Sequence, residues 1–269
     1  MTTGGLDAAV ETARGVGLRY AQARCDGPLS TFENVARSAV AREAVWRFSH
    51  PINEARGIEE AMDACWRPLM RAFPNFQRRN DIFVAGAFAG RAWTAATGHF
   101  IGVFEQPWLN IPANNQVTFI RFGEILGFES DQITDVYMLF DIIGVARQAG
   151  INLTPPGLGA EILTPAPIDQ DGVRRSPSAS DETQQSINLV DAMIGGLMNY
   201  DQRSLDSMGQ HEFWSDDMLW YGPSGIGAAR GLAGFQTYHQ RPFLDFVPDR
   251  KGGDHVARFA DGPYIASGG

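Results

Sequence analysis

Residues 55–75 read ARGIEEAMDACWRPLMRAFPN and residues 229–249 read ARGLAGFQTYHQRPFLDFVPD, and the two stretches share their punctuation. Ala55, Arg56, Gly57, Arg67, Pro68 and Pro74 fall on Ala229, Arg230, Gly231, Arg241, Pro242 and Pro248, each pair 174 positions apart. Trp46 and Trp220 keep that spacing upstream, so one register runs from Trp46 to Asn75 without a gap. Glycine at a helix start and proline just past its end fix where a helix begins and stops, so the shared placements predict one helical unit built twice. A repeat this long means duplicated domains, because a solenoid repeats every few tens of residues. Farther on, Phe88, Trp93 and Ala95 face Phe259, Tyr264 and Ala266 at an offset of 171. The first copy then continues to Ile151, while the second has no counterpart for that stretch. The second copy therefore reads as cut short at its C-terminal side, with the missing strands expected from further sequence or from another chain.

The bulk numbers suit two modest domains. A chain of 269 residues, 44% hydrophobic, can bury one or two ordinary cores, and 20% charged with 11% aromatic residues excludes a disordered chain. A net charge of −9 argues against nucleic acid, which requires a basic footprint. The start, MTTGGLDAAVETARG, lacks the basic and apolar regions of a signal peptide, and no apolar run reaches membrane-spanning length, so a cytoplasmic location is expected. Cys25 and Cys65 are too few for a disulfide framework or a zinc site and read as buried thiols. No HExxH, paired Cys or GxGxxG occurs, so neither metal nor organic cofactor is expected.

Helical spacing covers 6–24, 31–48 and 57–72, followed by the strand-like runs DIFVAGAFAG, RAWTAATGHFIGVF, VTFIRFGEILGF and ITDVYMLFD. This order predicts an α+β fold: a tandem duplicated cone-shaped barrel, helices packed in a curved antiparallel sheet, with the second copy incomplete. The expected boundaries are 1–151 for the first domain, 152–184 for a Pro-, Ser- and Gly-rich linker, and 185–269 for the second. A sheet wrapped around helices leaves a concavity suited to one small ligand.

The segments HPINEARGIEEAMDACWRPLMRAFPNFQRR, AWTAATGHFIGVF and FDIIGVARQAG, in that order and spacing, resemble the SnoaL-like polyketide cyclases of the nuclear transport factor 2-like superfamily. The likeness covers about 33–151 well and 186–269 more weakly, and the tandem arrangement is similar to two-domain members called ester cyclase-like. It implies an apolar pocket inside a cone, no metal, no cofactor, and pairing of domains through their sheets, here as an intramolecular pseudo-dimer with further self-association left open. It also implies acid/base chemistry of the cyclase, isomerase or lyase type on a small, partly apolar carbonyl compound. Other members of the superfamily merely bind, so a non-catalytic ligand-binding or scaffold protein is the alternative.

In FDIIGVARQAG, Asp141 matches the acidic residue that the resemblance assigns to proton transfer. An apolar setting from Leu139, Phe140 and Ile142 would favour its protonated form, whereas capping the helix that begins at Ile142 would hold it as an acceptor. Both roles stand open at this point. His99 shares a strand face with Trp93, Ala95 and Thr97 at period two, so if Trp93 lines the pocket His99 does too, placed to move a proton or hold an oxygen. His50 and Asn53 sit where the resemblance places polar pocket residues. Arg121 and Glu124 differ in parity, so one faces inward, and a surface ion pair is the plain expectation for both. His50, His99 and Asp141 are the one set that could also meet as a facial metal site.

Overall fold

The computed structural model describes residues 3–25, 28–249 and 255–268; Gly269, where the second copy was expected to stop, lies outside them. Two helices, α1 (Thr3–Gln22) and α2 (Leu29–Ala39), lead into β1 (Val40–Phe48) and β2 (Glu54–Arg56). The expected helix over 31–48 thus stops at Ala39. Its second half is a strand because Ala44, Trp46 and Phe48 are buried at alternate positions, the period of a pleated chain. The sheet is completed by β3 (Gln77–Phe88), β4 (Arg91–Val103), β5 (Val117–Glu129) and β6 (Gln132–Phe140), in the order β2-β1-β6-β5-β4-β3. All pairings are antiparallel except β1 with β6, where Trp46 lies beside Val136 in a parallel ladder. The fold is α+β with a curved mixed sheet, not the wholly antiparallel one expected.

Between β2 and β3 the chain forms α3 (Gly57–Ala61), one π-helical turn over Met62–Trp66, and α4 (Arg67–Ala72). The same succession recurs 174 residues later. β7 (Leu219–Tyr221) pairs with β8 (Ala228–Arg230), and α7 (Gly231–Phe235), a π-helical turn over Gln236–Gln240 and α8 (Arg241–Phe246) follow. Even the cross-strand register repeats, Trp46 opposite Ala55 and Trp220 opposite Ala229. The reason lies in the shared glycine. Gly57 and Gly231 turn the chain at φ of 72° and 68°, and a Cβ on either would sit 2.9 Å from a carbonyl oxygen, that of Arg42 or of Asp216.

Helix α6 (Ser180–Leu197) precedes this second unit, and a hairpin of β9 (Ala257–Asp261) and β10 (Tyr264–Gly268) follows it. The turns Ala89–Gly90 and Gly262–Pro263 equate the two hairpins at an offset of 173, so the expected alignment at 171 is displaced by two residues. Residues 152–179 are not a free linker. Val173 bridges to Phe83 at the edge of β3, and Ala160 exchanges backbone hydrogen bonds with Ala228 at 2.9 and 2.7 Å.

The sheet is apolar on both faces. On the inner face Ala92, Ala96 and Phe100 of β4 join α1–α4 in one core, where Trp66 meets Phe32, Phe48, Phe100 and Phe140 with ring centroids 5.0 to 6.4 Å apart. On the outer face Trp93 and Ala95 pack with Val84 against Ala257 and Phe259 of β9. Phe259 comes so near Gly86 that a Cβ there would lie 2.7 Å from its ring.

One charged group enters the inner core. Glu124, expected at the surface, faces inward and is fully buried, held by Arg24 at 2.8 Å and Arg78 at 2.6 Å. The Arg24 guanidinium also lies over the rings of Tyr20 at 4.3 Å and Trp66 at 4.9 Å, which replaces part of its lost hydration. Burial pushes the Tyr20 hydroxyl well above its ordinary value. Burial would likewise raise the Glu124 carboxyl, but the charges and hydrogen bonds of the two arginines outweigh it and hold the carboxyl below its usual range. Glu124→Gln strands buried guanidinium charge and is expected to cost about 3–5 kcal/mol in urea unfolding. Because the folded value is depressed, this stabilisation is complete above the unfolded carboxyl's range and is lost as pH falls through the folded value, and the variant should lack that acid limb.

Candidate functional site

The expected pocket inside the cone is filled by the aromatic core, and the expected residues gather on the opposite face of the sheet. There a cleft of about 330 Å³ opens between the outer face and the segments 160–164 and 221–228. His99, Arg121 and Asp141 all line it, with Phe119, Arg147 and Tyr221. β4 and β5 place His99 and Arg121 as direct cross-strand partners, and Asp141 follows β6 at the mouth of α5 (Ile142–Gln148).

His99 is buried, and its Nδ1 lies 3.2 Å from an Asp81 carboxylate oxygen. Asp81 stands within a bulge where the β3–β4 register shifts between Asn80 and Ile82, and a bulge of this kind re-aims a side chain. The imidazole edge meets the ring of Phe119 at 6.2 Å and 83°. Asp81 thereby orients one ring nitrogen and leaves the other for a ligand or a proton.

Asp141 acts as an acceptor three times over. One oxygen takes the N–H of Gly144 at 2.9 Å, capping α5, and the other takes the N–H and hydroxyl of Ser224 at 3.0 and 2.7 Å. Ser224 occupies in the second unit the position of His50 in the first, so the contact joins the two units. Arg121 joins them as well, donating to the backbone oxygens of Tyr221 and Gly222 at 3.0 Å each. Burial lowers the Arg121 guanidinium from its ordinary value against the opposing charges of Asp141 and Asp81. Arg147 pairs with Glu161, which also accepts the N–H of Gly225.

The remaining expected residues lie elsewhere. His50 and Asn53 form an exposed turn between β1 and β2, with His50 Nδ1 3.2 Å from Asn53 Oδ1, and neither lines the cleft. Trp93 shares the outer face with His99, but it is buried against β9, its indole N–H directed at the Phe88 carbonyl at 3.3 Å. His50 therefore does not join His99 and Asp141 on the cleft wall, and among the described residues no group of three His, Cys, Asp or Glu side chains is placed to hold a metal ion. No described helix is long and apolar enough to cross a membrane. Sequence reading missed Asp81, Phe119, Arg147, Glu161 and Ser224. Of these, only Ser224 carried a signal, as the counterpart of His50.

No family model matches the chain, and no curated protein does. Solved structures do. Among its structural neighbours are SnoaL-like polyketide cyclases and nuclear transport factor 2-like proteins. A candidate SnoaL-like polyketide cyclase from Jannaschia sp. CCS1 is 17% identical, covering 51% of this chain and 94% of its own, with a TM-score of 0.39. A candidate polyketide cyclase from Xanthomonas campestris pv. campestris is 16% identical over 52% of this chain and 98% of its own, TM-score 0.41. A phenazine biosynthesis-related protein from Pseudomonas aeruginosa is 12% identical over 60% of this chain and 98% of its own, TM-score 0.42. These names coincide with the resemblance read from the residues.

The hydrogen bonds of Asp141 set an order of effects. Asp141→Ala removes the acceptor for three donors and is expected to cost about 1–3 kcal/mol. Asp141→Asn keeps the cap and should cost less, because Asn caps a helix as well as Asp does. Chemical denaturation of the two variants checks this, and equal losses would contradict the capping role.

Proposed function

We propose that the chain is a cofactor-free acid/base protein of the SnoaL-like type, acting on a small, partly apolar carbonyl compound in the cleft between the outer sheet face and the second unit. The observation that carries this reading is the His99–Asp81 pair, a buried and oriented imidazole on the wall of that cleft. Proton transfer falls to His99, because Asp141 accepts hydrogen bonds at both of its oxygens. An oriented imidazole can take a proton from the carbon next to a carbonyl and return it elsewhere, worth roughly 10²–10⁴ in rate. Phe119 and Tyr221 supply apolar wall, and Arg121 supplies the nearest positive charge for an oxygen that gains electron density. The recurring helical unit and the sheet-to-hairpin packing support the further reading that the chain is two copies of one domain joined as a pseudo-dimer.

One observation favours the non-catalytic alternative. Arg121 and Asp141 spend their hydrogen bonds on holding the second unit in place, the behaviour of structural rather than reacting groups.

Exchange of carbonyl α-protons in deuterated water separates the two. With a panel of cyclic 1,3-diketones and aromatic ketones followed by NMR, at least one member should bind, shift the His99 imidazole resonances and exchange faster than in buffer. His99→Ala should lose the acceleration by roughly 10²–10⁴, and Asp81→Asn should lose part of it. Saturable binding without exchange would establish the binding protein instead, and exchange that survives His99→Ala would remove His99 from the mechanism.

A further inference from the structure

The inner face of the first helical unit is wholly covered. Trp66 and Phe73, at the π-turn and at the end of α4, are inaccessible to solvent, and the rings on them come from Phe100, Phe104, Trp108 and Phe140. The cover is therefore the curved sheet from β4 to β6. The second unit has the same backbone but not that cover. Ala72 and Phe73, both at 0% exposure, correspond to Phe246 at 87% and Val247 at 39%. The side chains on this face remain apolar. Trp220 stacks on His239 with centroids 4.3 Å apart, Phe235 packs against both, and burial among these rings lowers the His239 imidazole.

A second apolar surface lies beside it. The β9–β10 hairpin covers the outer sheet face over Val84, Trp93 and Ala95. Beyond its margin Ile125, Tyr137 and Leu139 line a groove of about 460 Å³ whose other wall is Ile265 and Ala266 of β10. β10 pairs with β9 on one side, and among the described residues its other edge carries no ladder. A strand laid along that edge would extend the hairpin over the groove. Its further partner would bend back over the second helical unit, as β5 and β6 do over the first.

We infer that this edge is a β-augmentation site, and that its occupant is a pair of antiparallel strands with aromatic side chains on one face and aliphatic ones on the other. Main-chain hydrogen bonds to β10 would give affinity and alternate side chains would give selectivity. One such element satisfies both apolar surfaces at once, which neither a single strand nor a small molecule does. The occupant's chemistry is that of residues 117–140, whose inward positions Ile120, Phe122, Met138 and Phe140 perform this task on the first unit. It is a segment of a partner polypeptide with that alternation.

The probe is a fluorescently labelled synthetic peptide of residues 117–140, added to the full chain. Saturable binding is expected by anisotropy, with new amide protection over 264–268 and 235–247 in hydrogen exchange. Phe246→Ser and Val247→Ser change exposed side chains, so they should leave the thermal transition in place while weakening the peptide by at least about tenfold. Three outcomes overturn the inference: no binding; binding that both variants leave unchanged; or self-association of the chain that protects the same two segments, which would make a second copy the occupant.

Discussion

Strand β4 has no solvent face. Its even positions Ala92, Ala96 and Phe100 pack against the helices, and its odd positions Trp93, Ala95 and His99 are buried on the other side. A strand of period two with both parities apolar demands cover on both faces. The helices and β1 supply one layer. The later part of the chain must supply the other, and its placement follows from that demand. Polar contacts then fix its position. The Arg14 guanidinium of α1 reaches the buried Asp261 carboxylate of β9 at 2.5 Å, and Asp261 also accepts from Ser178 and from the N–H of Ala85. Arg121 and Asp141 hold the turn at 221–224.

The cleft is what the second layer leaves uncovered. The hairpin spans the β3–β4 side of the outer face and the turn at 221–224 reaches its far corner, so a gap persists over His99. A titratable ring in such a gap is desolvated, oriented by Asp81 and still within reach of a ligand, the conditions that general acid/base work requires. The inner core offers a contrast. Its charges are deeper, but Arg24, Arg78 and Glu124 are closed in by rings and by one another, which makes them part of the packing.

Much of this was legible in the sequence, for physical reasons that differ between residues. Gly57 and Gly231 were readable because a left-handed turn admits little else, and the repeat they head appeared before any element was assigned. The four strands of the hairpins were readable from period-two runs bounded by turn residues. β1 was not, because VAREAVWRF also satisfies helical spacing and only its parallel pairing with β6, some 90 residues on, decides the matter. The shared face of Trp93 and His99 was readable, but not which side of the sheet it was, since both sides are apolar. Asp81 was hidden by the bulge that aims it, and Glu124 by partners 46 and 100 residues away.

Cross-linking tests the placement of the second unit on the outer face most directly, because everything said of the cleft depends on it. In the double variant Asp141→Cys with Ser224→Cys, the two thiols would replace groups that now meet at 2.7 Å across the junction. Mild oxidation should yield a rapid intramolecular disulfide, seen as a mobility shift that dithiothreitol reverses and that neither single variant shows. Two free thiols at these positions after oxidation of the folded monomer would contradict the docking of the units, and with it the cleft that the docking forms.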